Sequence, residues 1–133
     1  MTTFAQPNKE LYQHLGILFY AMAKADKKVH QAEITELRAI VKTQWLPLDD
    51  LTDEFGTDAA YQIEIVFDWL LEEDKESDTL FEEFEAYYKA YQNQFSPEIK
   101  TLTWKTAQRI AASFSGKNKS ELMLLAKLEL LMG

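Results

Sequence analysis

Two stretches of this chain share one pattern. Ala23-Lys24-Ala25-Asp26-Lys27-Lys28-Val29-His30-Gln31-Ala32-Glu33 is echoed late in the chain by Ala111-Ala112-Ser113-Phe114-Ser115-Gly116-Lys117-Asn118-Lys119-Ser120-Glu121. In each, an apolar segment ending in small residues breaks into a short polar loop, and ten residues after the alanine a glutamate opens a new segment. Apolar residues follow at matching offsets: Ile34, Leu37 and Ile40 in the first copy, Leu122, Leu125 and Leu128 in the second. A helix start leaves four backbone N–H groups without partners, and a cap residue with a Glu three positions later satisfies two of them for roughly 1 kcal/mol. Asn118-Lys119-Ser120-Glu121 fits that box, and His30-Gln31-Ala32-Glu33 has the glutamate with an unusual cap. Two such corners predict a pseudo-repeated, all-α fold.

Apolar periodicity elsewhere yields helices and no convincing strand. Asn8 caps a first helix to about Ala25 that is apolar nearly all round, which places it in the middle of a bundle. A second helix runs from about Gln31 to Thr43 and stops before Trp45-Leu46-Pro47, where proline discourages continuation. After a loop or short turn through Gly56, Thr57 or Asp58 caps a third helix to about Glu73. Asp78 caps a fourth with Leu80, Phe84, Tyr87, Tyr88, Tyr91 and Phe95 in one stripe. Ser96-Pro97-Glu98 starts a fifth, to about Phe114, and a leucine-rich sixth runs from about Lys119 to Met132. The whole chain, residues 1–133, reads as one domain of about six or seven helices. Its short connections predict largely antiparallel neighbours.

The total charge of −8 is unevenly placed. Residues 49–85 hold fifteen acidic residues and one basic residue, Lys75, while the remaining 96 residues carry a net +6. Nucleic-acid binding needs clustered Lys and Arg to displace counterions, so that class is set aside. A basic patch on a protein partner, or cations, suit the 49–85 segment better, although acidic outer faces also serve simply to keep small proteins in solution. Homo-oligomerisation stays open. The chain has no cysteine, which excludes disulfides, thiolate catalysis and cysteine-based metal centres and suits a reducing compartment. Its N-terminus lacks the basic and apolar regions of a signal peptide, and its longest nearly apolar run, Leu15 to Ala23, is about half of what a membrane span requires. A cytoplasmic protein without a membrane span is expected.

The first corner also carries a family resemblance. After a small, apolar helix, Asp26, Val29 and Glu33 match the signature Ala-x-x-Asp-Gly-x-Val-x-x-x-Glu of the TerB-like superfamily, with Lys27 at the glycine. The chain thus resembles a family named for a tellurite-resistance protein and shared with the N-terminal domain of certain membrane-anchored J-domain co-chaperones. That resemblance implies an all-helical domain with a second, weaker corner near the C-terminus. It also implies a setting in stress or metal-ion response, with corner acids as divalent-cation sites.

Asp26, His30 and Glu33 are accordingly the candidate metal residues, brought near one another by a loop and the following helical turn, with Lys27 and Lys28 opposing a positive ion. An EF-hand is rejected, because positions 3, 5, 6 and 12 from Asp26 are Lys28, His30, Gln31 and Leu37. Ser115-Gly116-Lys117 lacks the upstream glycine and following hydroxyl of a phosphate loop. His14, inside an apolar helix, reads as a hydrogen-bonded boundary histidine, and Tyr87, Tyr88 and Tyr91 as packing. Glu72, Glu73, Asp74, Glu76 and Asp78 read as a solvated helix–helix turn. With no nucleophile, base and orienter in view, no enzyme and no resident cofactor are expected. The expectation is a non-catalytic binding or scaffolding module, with a divalent-cation sensor or buffer as the alternative.

Overall fold

The computed structural model describes residues 9–25, 28–48, 59–113 and 119–133. Of these, 88% are helical and none lies in a strand, as the periodicity predicts. The α-helical segments are α1 (Lys9–Ala23), α2 (Gln31–Ile40), the single turn α3 (Leu46–Leu48), α4 (Gln62–Glu73), α5 (Ser77–Ala90), α6 (Pro97–Ala112) and α7 (Lys119–Met132). A π-helical turn, Val41–Trp45, joins α2 to α3, and 3-10 turns cover Ala59–Tyr61 and Gln92–Gln94.

An apolar helix must be covered on most of its sides, and α1 is. Leu11, Leu15, Leu18, Phe19 and Met22 have no exposed surface, and α4, α5, α6 and α7 all pack against the helix. At Gly16 the packing is tight, and an added Cβ would lie 2.7 Å from the carbonyl oxygen of Ile63 and 3.0 Å from Cβ of Val66. Glycine there lets α4 lie directly on α1.

Several helix boundaries depart from the sequence reading. The second helix does not stop at Thr43: the Leu46 N–H donates to the Val41 carbonyl, a bond that spans five residues and makes a π-turn. Proline removes a donor at its own position and crowds the carbonyl four residues back, and a wider turn ahead of it relieves that conflict without ending the helix. Trp45 consequently turns inward to full burial, edge-on to Tyr12 with ring centroids 6.3 Å apart. Asp78 does not cap α5, whose N-cap is Glu76 without a side-chain bond. The Ser77 hydroxyl instead donates to the Ala21 carbonyl at 3.0 Å, satisfying one of the acceptors that the last turn of α1 leaves over. The fourth-helix stripe is broken as well. α5 ends at Ala90, so Tyr91 is left half exposed, and Phe95 reaches the core from beyond the 3-10 turn, 4.8 Å from the Tyr88 ring. The start of α6 follows the sequence reading, with Pro97 at the first position and Ser96 Oγ accepting the Ile99 N–H at 3.3 Å.

Sequence neighbours do not simply pair. α6 and α7 pack together, but α2 makes its main contacts with α6, and α4 and α5 each pack chiefly on α1. Ion pairs reach from α2 to both neighbours, Arg38 to Asp68 of α4 at 2.9 Å and Glu36 to Arg109 of α6 at 3.6 Å. Because α4 and α5 share α1 as their support, a furrow remains between them.

Candidate functional site

That furrow is a groove of about 520 Å³ with α1 as its floor. Ile17 lies at the bottom, Val66 and Leu70 of α4 and Leu80 of α5 form the sides, and the Trp69 ring stands at the lip, 54% exposed. Trp69 does not stand by itself. Tyr61, Ile65 and Trp69 recur every four residues and are 36%, 52% and 54% exposed, so they form an apolar stripe running away from the groove. Ile63, Phe67 and Leu70 on the same helix are buried and form its core-facing side. A helix that already has its core face and still presents Ile and Trp to water has a second apolar face with no partner among the described residues.

The polar rim is held in place by α1. The His14 ring stacks on Tyr87 with centroids 3.8 Å apart and planes 9° from parallel, and its Nδ1–H donates to the Glu10 carbonyl at 2.7 Å. A carbonyl can only accept, so this bond fixes the tautomer. The Tyr87 hydroxyl donates to Gln94 Oε1 at 3.1 Å, and burial, aided by Glu10 and Tyr91, pushes its pKa up to about 12. Both are packing roles, as the sequence suggests for the pair.

The α4–α5 turn that closes one end of the groove is clamped to α1 by three side chains. The Tyr20 hydroxyl donates to the Lys75 carbonyl at 2.9 Å, Ser77 bonds Ala21, and the Lys24 ammonium pairs with Asp74. Asp74 sits in the left-handed region at φ 52°, which ends α4 and swings the chain toward α5. Lys24 is nearly buried, and its bond to Asp74 holds its pKa above the usual lysine value.

Charge is concentrated around this site. Residues 62–90 contain ten acidic residues and two basic ones, Lys75 and Lys89, so this segment alone accounts for the net −8 of the chain. Glu83 and Lys75 line the groove, and Glu72 and Glu73 are exposed one turn beyond Trp69. Glu64, on the side toward α2, has its carboxyl pKa raised by burial, an effect that Arg38 partly offsets.

The candidate metal residues are only partly in view. Asp26 lies outside the described residues, as do Ser115 and Asn118 of the second corner and residues 49–58 of the acidic segment. His30 is half-buried at the N-cap of α2, and Glu33 has no exposed surface, with Oε1 accepting the His30 N–H at 2.8 Å. Val29 packs against the core. Among the described residues, no three His, Asp or Glu side chains are grouped so as to hold a metal ion. The corners do share a burial pattern. Glu33, Leu37 and Ile40 are 0%, 1% and 1% exposed, and Glu121, Leu125 and Leu128, at the same spacing, are 3%, 8% and 0% exposed. The third pair of offsets differs, since Ile34 is half-buried and Leu122 is 48% exposed.

No protein-family model, no curated protein and no solved structure matches this chain. No helix among the described residues is long and apolar enough to cross a membrane. The site is therefore to be read from its own chemistry, which is apolar area with an anionic rim. The groove was missed from sequence, although a signal for its lip exists. Tyr61, Ile65 and Trp69 form a second helical stripe opposite Ile63, Phe67 and Leu70.

Proposed function

We propose that this protein is a non-catalytic binding module of TerB-like type, and that a protein partner docks in the groove between α1, α4 and α5. The TerB-like part of the reading rests on the signature at Asp26, Val29 and Glu33 and on the all-helical layout, and it carries with it a cytoplasmic setting in stress or metal response. The observation that supports docking is the exposure of Trp69 and Ile65 beside a groove whose floor, Ile17, and sides, Val66 and Leu80, are also apolar. Exposed Trp is costly to leave in water and is the residue type that most often dominates binding energy at interfaces. The anionic rim adds steering without requiring a reactive group.

The test is affinity capture from source cells with three baits: the wild-type chain, Trp69→Ala, and Glu36→Ala on a different face. Expected is a protein retained by wild type and Glu36→Ala, lost with Trp69→Ala, and weakened as salt rises through moderate ionic strength. Identical recovery with and without Trp69 removes the groove as the docking site.

A further inference from the structure

We infer, on the reading that the groove is a docking site, that its occupant is a cationic amphipathic helix with a large apolar residue seated beside Trp69. Two properties of the site carry this. The first is its shape. The stripe from Tyr61 to Trp69 spans eight residues of helix, about 12 Å at 1.5 Å per residue, which matches two turns of a partner helix bearing apolar residues at i, i+4 and i+7 or i+8. The groove beside it is open along α1, because α4 and α5 pack on α1 more than on each other.

The second property is charge. Residues 62–90, which supply the α4 and α5 walls of the groove, hold ten acidic and two basic residues, so the groove lies in an anionic part of the chain although Lys75 also lines it. A second copy of this chain docking face to face would bring two such surfaces together and be repelled. Anionic lipid and nucleic acid are disfavoured for the same reason. A flexible polycation would satisfy the rim and leave the apolar floor uncovered. A helix with Lys or Arg on one face and Leu, Ile or Phe on the other satisfies both, setting its cations against Glu72, Glu73 and Glu83 and its apolar face on Ile17, Val66 and Leu80.

The experiment uses the full chain and three fluorescently labelled peptides: a helix-forming Leu/Lys peptide with leucines at i, i+3, i+4 and i+7, a scrambled isomer of identical composition, and a Leu/Glu counterpart. The Leu/Lys peptide is expected to bind saturably at one to one, about tenfold or more tighter than either control. Trp69→Ala should weaken it by about tenfold or more, as loss of a central aromatic anchor does. The variant Glu72→Gln/Glu73→Gln/Glu83→Gln should weaken it and flatten its salt dependence, since fewer screened charges remain. Trp69 is half exposed, so its replacement leaves the fold intact, which a circular dichroism melt verifies alongside. Equal binding of the scrambled isomer would show that charge alone attracts, and the helical occupant falls. Equal binding of the Leu/Glu peptide, still lost with Trp69→Ala, would keep the docking groove and overturn the cationic partner. Failure of all three peptides, together with a dimer in solution that Trp69→Ala dissociates, would replace the partner with a second copy. Failure of all three without such a dimer overturns the occupant, and unchanged affinity capture with Trp69→Ala then removes the docking site itself.

Discussion

The indole N–H of Trp45 donates to the Thr106 hydroxyl across 3.0 Å of closed core, and that hydroxyl in turn donates a hydrogen bond to the Leu102 carbonyl at 2.8 Å. Neither residue has any exposed surface. The π-turn thereby delivers a large ring into the centre of the bundle without leaving its one polar atom unsatisfied, and it is the end of α2 that this bond ties to α6. Thr106→Val keeps the shape and removes the acceptor, so a buried N–H is left without its partner. The expected loss is about 1–3 kcal/mol in urea unfolding, whereas Thr106→Ser, which keeps the hydroxyl, should lose about 1 kcal/mol. A neutral Thr106→Val would mean that packing alone holds the π-turn.

Gly16→Ala should destabilise the protein although alanine is the better helix former by about 0.8–1.0 kcal/mol. The new methyl would stand 2.7 Å from a backbone oxygen of α4, which cannot rotate away as a side-chain end could. Separating α1 from α4 costs about 1–3 kcal/mol by the usual toll of overpacking, and it widens the floor under Val66. Thermal unfolding decides the sign. A stabilised Gly16→Ala would show that α4 rides on α1 more loosely than the 2.7 Å approach implies.

What was legible in the sequence was the part governed by local pattern. The central position of α1 follows from Leu11 to Met22 being apolar on every side, and the start of α6 follows from Ser96 and Pro97, whose cap and ring act within one turn. What was not legible depends on partners about fifty residues away. Ser77 looks like any residue ahead of Asp78 until Ala21 presents its carbonyl, and Lys24 looks like a loop lysine until Asp74 turns left-handed to meet it. The groove belongs to the same class. The sequence shows that α4 has two apolar stripes, but only the shared support of α4 and α5 on α1 shows which stripe is left uncovered.

The two corners predict parallel mutational responses. Glu33→Ala removes the acceptor of the His30 N–H, and a loss of about 0.5–2 kcal/mol is expected, as for other helix caps. Glu121→Ala, buried at the same position of the second corner, should lose a similar amount. Leu37→Ala and Leu125→Ala, four residues on, should each lose about 2–5 kcal/mol. Denaturant titration of the four variants tests the repeat as energetics. Two equal pairs support it, and a silent Glu121→Ala beside a costly Glu33→Ala would mean that the likeness ends at sequence.

The cation-sensor alternative makes a separate prediction through linkage. An ion that binds only the folded chain raises its stability by about 2.7 kcal/mol at 100 times its dissociation constant, which is several degrees of melting temperature at this size. Glu33 already spends one oxygen on the His30 N–H, and Lys28 is exposed close by. At least two of zinc, manganese and calcium should therefore leave the melting temperature of metal-stripped protein unchanged. A saturable rise that Asp26→Asn abolishes would establish Asp26, His30 and Glu33 as a cation site and displace the partner-binding reading.

Stability should fall on the alkaline side, and three groups around the groove agree on the direction. Burial raises the pKa of Tyr87 to about 12 and that of Tyr20 above its ordinary value of 10.0, and the bond to Asp74 raises that of Lys24 above its ordinary 10.5. In each case the folded chain keeps a proton that the unfolded chain has begun to release. Their contribution is thus complete below about pH 10 and is lost as pH climbs through the folded values, because the unfolded state then binds fewer protons. Urea midpoints measured from about pH 8 to about pH 11.5 should hold level at first and then decline. Tyr87→Phe should make that decline shallower, since phenylalanine has no proton to lose, while removing the bond to Gln94 at every pH. A decline of unchanged steepness in Tyr87→Phe would assign the alkaline loss to Tyr20 and Lys24, at the turn that clamps α4 and α5 to α1.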